Sequence, residues 1–426
     1  MKKKLFAGVL VVLALIACNR SNKVGNETPD LEKFSSKVII DWNEMAYTAM
    51  GGEAYQHSLL ASRINAMVHI AMHDALNAVN PVFKSYFKAK TDPGADPIVA
   101  AATAAHEVLL SQFPDKKLSL DSLLNLSVAN IADSSAVSKG RAIGKEAAMA
   151  IITARANDKA LSDPIGPIEP STTPGVYQGV PPTEFLFAPF WKSMKTFGIN
   201  RADQFRVQAH PELNSNEYAN GLEEVKHYGS KLSKVRSNEQ TVLAKFWYEF
   251  SEAGWNRIAR EAIAVKKKNL WETARVFALV NMALADAYTA GWDSKFHYNF
   301  WRPYTAIRKA DEDNNPGTSP DAAWEPLMNT PPVQDYPSTH SALGSAAANV
   351  LAAILGDDVS FTFRSPTAQK DSPTRSFKSF TQAALENADS RVMAGLHFRF
   401  SCEAGLSLGK DVGKWIVEQQ LTRIQK

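Results

Sequence analysis

The feature that most constrains this chain is an internal repeat, in which three apolar segments of the first half recur in the same order in the second half. In the longest pair, residues 63–78 match residues 275–290 at seven positions with one constant offset of 212. The offsets of the three pairs grow from 212 to 242 to 265, as expected if the second copy has longer loops. The pairs are 63–78 with 275–290, 101–110 with 344–355, and 140–152 with 405–417.

The spacing of apolar residues in these segments is helical, and few segments alternate as strands do. A repeated unit of this kind buries its apolar face by packing against its copy. Gly140 and Gly144 stand opposite Gly405 and Gly409, and pairs of glycines four residues apart indicate close helix packing. We therefore predict an all-α fold of two duplicated helical bundles packed together.

The rest of the chain divides around the two copies. Residues 164–190 are rich in Pro and Gly, which predicts an irregular connection. The second copy contains inserts at 311–336 and 357–375, and loops of this length within a compact unit are usually functional. We therefore predict an active site in the second bundle. The predicted parts are a first bundle at 37–163, a connector with helices at 164–260, and a second bundle at 261–426.

The beginning of the chain indicates export. Three lysines precede an apolar run of about thirteen residues, too short for a mature membrane span, so residues 1–17 are predicted to be a signal peptide. The sequence LIAC at 15–18 resembles a bacterial lipobox, which implies lipidation of the Cys18 thiol and a lipoprotein of the cell envelope, in the periplasm or at the outer membrane. A plain secretory signal cleaved nearby is the alternative. Residues 18–36 are predicted to be a flexible tether, with membrane contact only through the lipid anchor.

The charge distribution narrows the possible partners. The formal net charge is only +3, acidic and basic residues are interspersed, and no long basic run occurs. A nucleic-acid partner is therefore not expected. A site for an anion must be local and built from a few residues.

Three stretches of the second copy contain groups that bind oxyanions. In residues 292–303, Lys295 and Arg302 are seven positions apart, which predicts one helical face with about 10 Å between them. Pro303 follows and disrupts a helix, so Arg302 is predicted at its end. A lysine provides a point charge, and an arginine provides a planar fork that suits oxyanions.

The second stretch opens an alanine-rich helix. Pro337 disfavours helix upstream, so Ser338 or Thr339 is predicted as the N-cap. The free N–H groups of this helix and its positive dipole end would face an anion. His340 stands at the same place and can accept or donate a proton.

The third stretch contains Arg391 and His397, which are six residues apart and so lie on different faces of any continuous helix. Gly395 permits a break between them. We predict that Arg391 ends one helix and that His397 begins the next. One histidine of the site would attack or ligate the central atom of an oxyanion, and the other would transfer protons.

These stretches resemble the three signature motifs of the superfamily that joins vanadium-dependent haloperoxidases with type 2 phosphatidic acid phosphatases. The matching patterns are K-x6-R-P at 295–303, P-S-x-H at 337–340 and S-R-x5-H at 390–397. The duplicated bundles, and Trp292 three residues before Lys295, resemble the haloperoxidase branch.

The resemblance implies a role for each matching residue. His340 would be the acid–base group, and His397 would be the axial vanadium ligand, or the nucleophile of a phosphohistidine intermediate in a phosphatase. Vanadate, or phosphate in the same place, would be held by the oxyanion-binding residues. These are Lys295, Arg302, Ser338, Thr339, Arg391 and Trp292.

The implied activity is that of a vanadate-dependent haloperoxidase, in which hydrogen peroxide acts with His-bound vanadate to oxidise a halide. Two alternatives stay open. One is a phosphatase that hydrolyses a phosphoester in the same pocket, and the other is an envelope protein that binds phosphate or vanadate without turnover. The resemblance also suggests a homodimer.

The chain departs from the family pattern at three positions. Thr339 stands where Gly is common. Ser401 stands four residues after His397, where the family often has an Asp that orients the imidazole ring, so ring orientation is expected to be weaker. Val333 stands seven residues before His340, where haloperoxidases often carry an aromatic residue or His linked to halide preference.

A second histidine pair lies in the first copy. His69 and His73 are at positions i and i+4 and could mimic a metal-binding helical face. The repeat argues for a structural role instead, because His69 stands opposite Asn281. From the repeat we also predict two matching structural pairs, Arg63 with Asp74 and Arg275 with Asp286.

Overall fold

A computed structural model describes residues 31–425, and these form a mainly helical fold, as the repeat predicts. The predicted signal peptide and the lipidation site at Cys18 lie outside the described residues. The α-helices are α1 (Lys37–Ala49), α2 (Ser58–Val79), α3 (Pro97–Gln112), α4 (Lys117–Val128), α5 (Ser134–Arg155), α6 (Asn216–Tyr228), α7 (Asn238–Phe246), α8 (Ser251–Lys266), α9 (Leu270–Tyr298), α10 (Pro303–Arg308), α11 (Thr339–Leu355), α12 (Phe380–Met393) and α13 (Arg399–Gln419). Short 3₁₀ helices cover Leu31–Lys33, Gly52–Ala54, Pro114–Lys116, Pro189–Ser193 and Ala202–Phe205. Two antiparallel strand pairs are β1 (Ile165–Gly166) with β2 (Leu186–Phe187) and β3 (Phe361–Arg364) with β4 (Thr374–Phe377).

Each copy of the repeat forms a three-helix unit with the same pairwise contacts. Helices α2, α3 and α5 pack on one another, and α9, α11 and α13 do the same in the second copy. The two units meet where α2 packs along α9, and one apolar core runs through both. The predicted pair of packed helical bundles is therefore confirmed.

Glycines set the same close helix crossing in both bundles. A Cβ atom on Gly140 of α5 would lie 2.8 Å from the carbonyl oxygen of Asp96, the N-cap of α3. A Cβ atom on Gly405 of α13 would lie 2.3 Å from the carbonyl oxygen of Ser338, the N-cap of α11. The crossing continues one turn later, with Gly144 against Ala100 O and Gly409 against Ala342 O. Only glycine allows two helix backbones to approach this closely. The two copies therefore share the same helix packing as well as similar sequences.

Asp74 and Asp286 also match in the two copies, but they do not pair with arginines. Asp74 accepts hydrogen bonds from the backbone N–H groups of two residues after α2, and Asp286 accepts three from the segment 197–199. Arg63 pairs with Asp158, and Arg275 donates to a backbone carbonyl. The predicted Arg–Asp pairs are wrong because residues eleven apart on one helix are separated by roughly 16 Å along its axis.

The segments outside the bundles extend the core or shape the site. Residues 31–36, assigned above to the tether, include a 3₁₀ helix, and Phe34 packs edge-on against Trp271 with 5.5 Å between the ring centroids. The insert 357–375 contributes to the β3–β4 hairpin, while the insert 311–336 runs irregularly to the start of α11. Across residues 31–425, no helix has both the length and the apolar content of a membrane span.

Candidate active site

The first motif is divided between two helices. Helix α9 ends at Tyr298, and Asn299 follows with a left-handed backbone (φ 46°). Arg302 is the N-cap of α10, whose first residue is Pro303. The predicted single helical face for Lys295 and Arg302 is therefore wrong. The chain turns between them because asparagine tolerates the left-handed region and proline favours the first position of a new helix.

Both cations are buried and held by backbone carbonyls of the insert 311–336. Lys295 Nζ donates to Gln334 O at 2.6 Å and to Asp335 O at 2.8 Å. Arg302 Nε donates to Val333 O at 2.7 Å. Burial, followed by the neighbouring Arg302, lowers the pKa of Lys295 well below its usual value. The last residues of the insert thus set the positions of the first motif.

The second motif opens α11 as the sequence predicts. Ser338 is the N-cap, and its Oγ accepts hydrogen bonds from the backbone N–H and the hydroxyl of Ser341. Thr339 stands where the family commonly has glycine, and its Cγ2 packs against Gly291. A Cβ atom on Gly291 would lie only 2.3 Å from that Cγ2. The missing side chain at Gly291 makes room for the larger residue, so the departure at Thr339 has a structural compensation.

His340 is held by a backbone carbonyl. Its Nε2 lies 2.7 Å from Trp247 O, and because a carbonyl only accepts, the proton is on Nε2 and the lone pair is on Nδ1. Burial and the nearby Arg391 lower the pKa of His340 well below its usual value, so the ring is neutral at neutral pH. His340 is therefore set up as a proton acceptor at Nδ1.

Arg391 lies in the last turn of α12 as predicted, and it retains a free donor. Its Nη1 donates to the same Trp247 carbonyl at 3.1 Å, while its Nε is buried without a hydrogen-bond partner within residues 31–425. Burial lowers the pKa of Arg391 to about 10, which leaves the guanidinium charged at neutral pH. Burying a charged donor that lacks a hydrogen-bond partner costs free energy, unless a bound anion accepts its hydrogen bond and balances its charge.

His397 precedes α13, after a break at Gly395 (φ 78°), as predicted. Its Nε2 lies 3.0 Å from Arg302 Nη1, and since arginine can only donate, Nε2 accepts and Nδ1 carries the proton. That Nδ1 lies 2.9 Å from Asp335 Oδ1 and 3.4 Å from Ser401 Oγ. Burial, then Arg302, lowers the pKa of His397 well below its usual value, so the ring is neutral.

Asp335 is a candidate functional residue that the sequence did not predict. Its carboxylate is fully buried beside His397, and its carbonyl holds Lys295. Burial raises the pKa of Asp335 to about 7, against the opposite effects of Arg302 and Lys295. The carboxylate that the family often has four residues after His397 is thus replaced by Asp335, which lies beside the same Nδ1 as Ser401. The signal available in the sequence was an acidic residue two positions before Pro337, at the end of a long insert.

A cavity of about 700 Å³ brings most of the predicted residues together. Lys295 and Ser338 are fully buried and are not on its wall. Trp292 lines it, but the indole N–H donates to Phe187 O at 3.2 Å, so this tryptophan forms part of the wall. Val333 lines it as well. The other predicted residues on the wall are Arg302, Thr339, His340, Arg391 and His397.

The donor set fits a tetrahedral oxyanion such as vanadate. Lys295, Arg302 and Arg391 are buried cations, and the one carboxylate among them, Asp335, lies 3.8 Å from Arg302 Nη1. Positive charge therefore exceeds negative charge, and the free Nε of Arg391 lacks an acceptor. An oxyanion would supply both the charge and the acceptor.

Comparison with known proteins points to one family. A family model described as the VCPO second helical-bundle domain matches residues 275–426. The vanadium chloroperoxidase of Curvularia inaequalis is 24% identical over an alignment that covers 88% of this chain and 80% of that protein. A bacterial vanadium-dependent iodoperoxidase structure is 26% identical with a TM-score of 0.79, over 92% of this chain and 98% of that one. A bacterial vanadium-dependent chloroperoxidase structure, 18% identical with a TM-score of 0.67 over 85% of this chain and 91% of that one, shares the fold. The second half of the chain therefore matches the VCPO second helical-bundle domain, and the chain as a whole is similar to vanadium haloperoxidases in sequence and in fold.

Proposed function

We propose that this protein is a vanadate-dependent haloperoxidase, which uses hydrogen peroxide to oxidise a halide. The observation that carries the proposal is that Arg302, His340, Arg391 and His397, from three separate stretches of sequence, line one cavity. The similar chloroperoxidase and iodoperoxidase support this reaction class, and they leave the choice of halide open.

The binding residues have complementary tasks. Arg302 and Arg391, on the cavity wall, would hold the oxygens of vanadate, and the buried Lys295 behind the wall would add to the positive charge. His397 Nε2 would be the protein ligand of vanadate. Bound vanadate would supply the centre at which peroxide is activated for halide oxidation. Asp335 Oδ1 lies 2.9 Å from Nδ1 of His397, and its negative charge would favour a proton on Nδ1 and a lone pair on Nε2.

His340 performs the proton transfers. Oxidation of a halide by peroxide takes up one proton and yields hypohalous acid and water. The lone pair on His340 Nδ1 accepts a proton from the incoming peroxide and returns it to the departing oxygen. Trp247 O holds the other ring nitrogen at 2.7 Å, so the ring keeps one tautomer during this exchange.

The test is halogenation of a dye by the purified protein with vanadate, peroxide and either bromide or iodide. We expect turnover that requires vanadate and falls by roughly 100-fold or more in His397→Ala, because the ligand is removed. His227→Ala, at an exposed histidine of α6, is the matched control and keeps full activity. Turnover that persists without vanadate, or in His397→Ala, contradicts the proposal.

A phosphatase is the second candidate, and the contact between Asp335 and His397 favours it. A carboxylate beside Nδ1 is what a phosphohistidine intermediate requires, and the sequence pattern alone had left that carboxylate missing. Hydrolysis of p-nitrophenyl phosphate without vanadate, inhibited when vanadate is added, would support this candidate. Binding of vanadate without either halogenation or phosphoester hydrolysis would support the non-catalytic alternative.

We also propose export as a lipid-anchored protein of the cell envelope, from the signal-like residues 1–17 and Cys18. Mass spectrometry of the mature N-terminus tests this, since a lipid on Cys18 is expected, and Cys18→Ala releases the protein from membranes. A homodimer, suggested by the family resemblance, is tested by sedimentation of the purified protein.

A further inference from the structure

The cavity is larger than an oxyanion of five heavy atoms needs. Its volume of about 700 Å³ is in the range that holds drug-sized organic ligands. Besides the cations and histidines, its wall includes two glutamates and three aromatic residues that the oxyanion does not account for. They are Tyr55, Glu249, Phe250, Glu252 and Tyr288. We call these five residues the acidic end.

Glu252 is the central group of the acidic end. It is 3% exposed, and its Oε2 accepts a hydrogen bond from Tyr288 at 3.2 Å. Within residues 31–425, no Lys or Arg side chain forms an ion pair with it. Burial raises the pKa of Glu252 to about 8, as expected for a carboxyl group that lacks a cationic partner.

Glu249 adds a second incomplete carboxylate. It is 5% exposed and pairs with Arg257 through Oε2, while its Oε1 is buried with no hydrogen-bond partner in the described part of the chain. A buried carboxylate oxygen without a donor is costly, and a bound donor would satisfy it. Glu252 therefore lacks a cationic partner, and Glu249 Oε1 lacks a hydrogen-bond donor, within the described residues.

Aromatic rings lie beside Glu252 and line the same cavity. Tyr288, which donates to Glu252, packs edge-on against Trp292 with 5.7 Å between ring centroids. Tyr55 and Phe250 also line the cavity. Rings of this kind attract an organic cation through their faces and pack against an aromatic ligand.

We propose that the acidic end binds the ammonium group of an organic substrate, between Glu252 and the aromatic wall, with the rest of the molecule extending toward the histidines. This inference rests on the proposed function, because the bound molecule would be the substrate that accepts the halogen from the oxidised halide. Hypohalous acid would transfer its halogen to a ring carbon, and the ring proton would leave with the hydroxide as water. The ligand class is a small aromatic amine.

Calorimetric titration of the full-length protein with tyramine and with p-cresol tests the binding, without vanadate, peroxide or halide. The two probes share a phenol ring, and only tyramine has an ammonium group. We expect tyramine to bind roughly tenfold or more tightly than p-cresol, and Glu252→Gln to remove this preference. The control is Glu261→Gln, at an exposed glutamate of the same helix, which keeps the preference.

Equal affinity for the two probes, or a preference that survives in Glu252→Gln, overturns the inference. Circular dichroism verifies that the variant is folded, and Glu249→Gln, which is expected to weaken tyramine binding, provides a second test if it is not. Because no halide oxidation is measured, a failure here is distinct from a failure of the peroxidase assay. A protein that oxidises halide but does not discriminate tyramine from p-cresol keeps its proposed function and loses this subsite.

Discussion

The two bundles have the same three-helix architecture, but only the second has the residues of an anion site at its helix entrance. In the first bundle α3 begins with Asp96, Pro97 and Ile98, where α11 of the second begins with Ser338, Thr339 and His340. The Asp96 carboxylate accepts hydrogen bonds from the backbone N–H groups of Ile98 and Val99. The first bundle thus fills its helix entrance with its own anion, whereas the second caps it with a neutral hydroxyl.

The segments between helices differ as well. At the offset of the longest repeat, Lys295 stands opposite Phe83, which is a buried core residue. The insert 311–336, whose carbonyls hold Lys295 and Arg302, has no counterpart of similar length between α2 and α3. The helices thus provide the same frame in both bundles, and a cap residue and one long insert distinguish the second bundle from the first.

Making the second bundle resemble the first is expected to have the largest effect. Ser338→Asp places a carboxylate at the entrance of α11 and should weaken vanadate binding by roughly 100-fold or more, because like charges repel in a buried site. Equilibrium dialysis of vanadate measures it. The reverse change, Asp96→Ser in the first bundle, is the control and leaves vanadate affinity unchanged. Similar losses in both variants would show that the cap residue does not distinguish the bundles.

The insert is tested through Asp335, which lies next to its end. Asp335→Asn should lower halogenation turnover by about 10- to 100-fold, since the amide orients the His397 ring less firmly than a carboxylate does. Ser401→Ala, whose hydroxyl lies farther from the same nitrogen, should lower it by less than tenfold. The two turnover numbers, measured at saturating vanadate, rank the two partners. A larger effect at Ser401 would contradict the role given to Asp335.

The shared helix crossing predicts equal losses of stability with unequal losses of function. Gly144→Ala and Gly409→Ala both place a methyl group against a backbone carbonyl, and each should reduce the free energy of unfolding by about 1–3 kcal/mol. Only Gly409→Ala should also reduce halogenation, because it displaces α11. Chemical denaturation and the halogenation assay measure the two effects. If Gly409→Ala is destabilised but keeps full halogenation activity, the active site does not depend on this helix crossing and the prediction is wrong.

The smallest effect concerns a titrating residue that the second copy lacks. Burial, followed by Arg260, lowers the pKa of His69 to about 3, and its counterpart is Asn281. Because the folded-state pKa lies below the unfolded value, His69 contributes stability above pH 6.5 that is lost as the pH falls toward 3. Between pH 7 and pH 5 the wild type should lose on the order of 2 kcal/mol relative to His69→Asn. Urea unfolding of both proteins at the two pH values measures it, and parallel losses would contradict it.

Helical periodicity and the repeat were sufficient to predict the bundles, while Pro337 narrowed the cap of α11 to Ser338 or Thr339 and Gly395 marked the break before His397. These features depend on local sequence, so they can be read without coordinates. The turn between Lys295 and Arg302 was not predicted, because a single asparagine with left-handed backbone does not change the spacing of apolar residues. Asp335 escaped it because its contact with His397 joins residues 62 positions apart, and an irregular insert has no period to follow.

Near its end, the irregular insert has three consecutive residues that contact the first and the third motif. Val333 O fixes Arg302, Gln334 O and Asp335 O fix Lys295, and the Asp335 side chain reaches His397. Most of these contacts come from the main chain, so they depend on where the backbone runs and tolerate changes of side chain. An engineer who moved this centre into another helical scaffold would have to transplant that tripeptide and its path together with the histidines, whereas the remainder of the loop could be shortened or replaced.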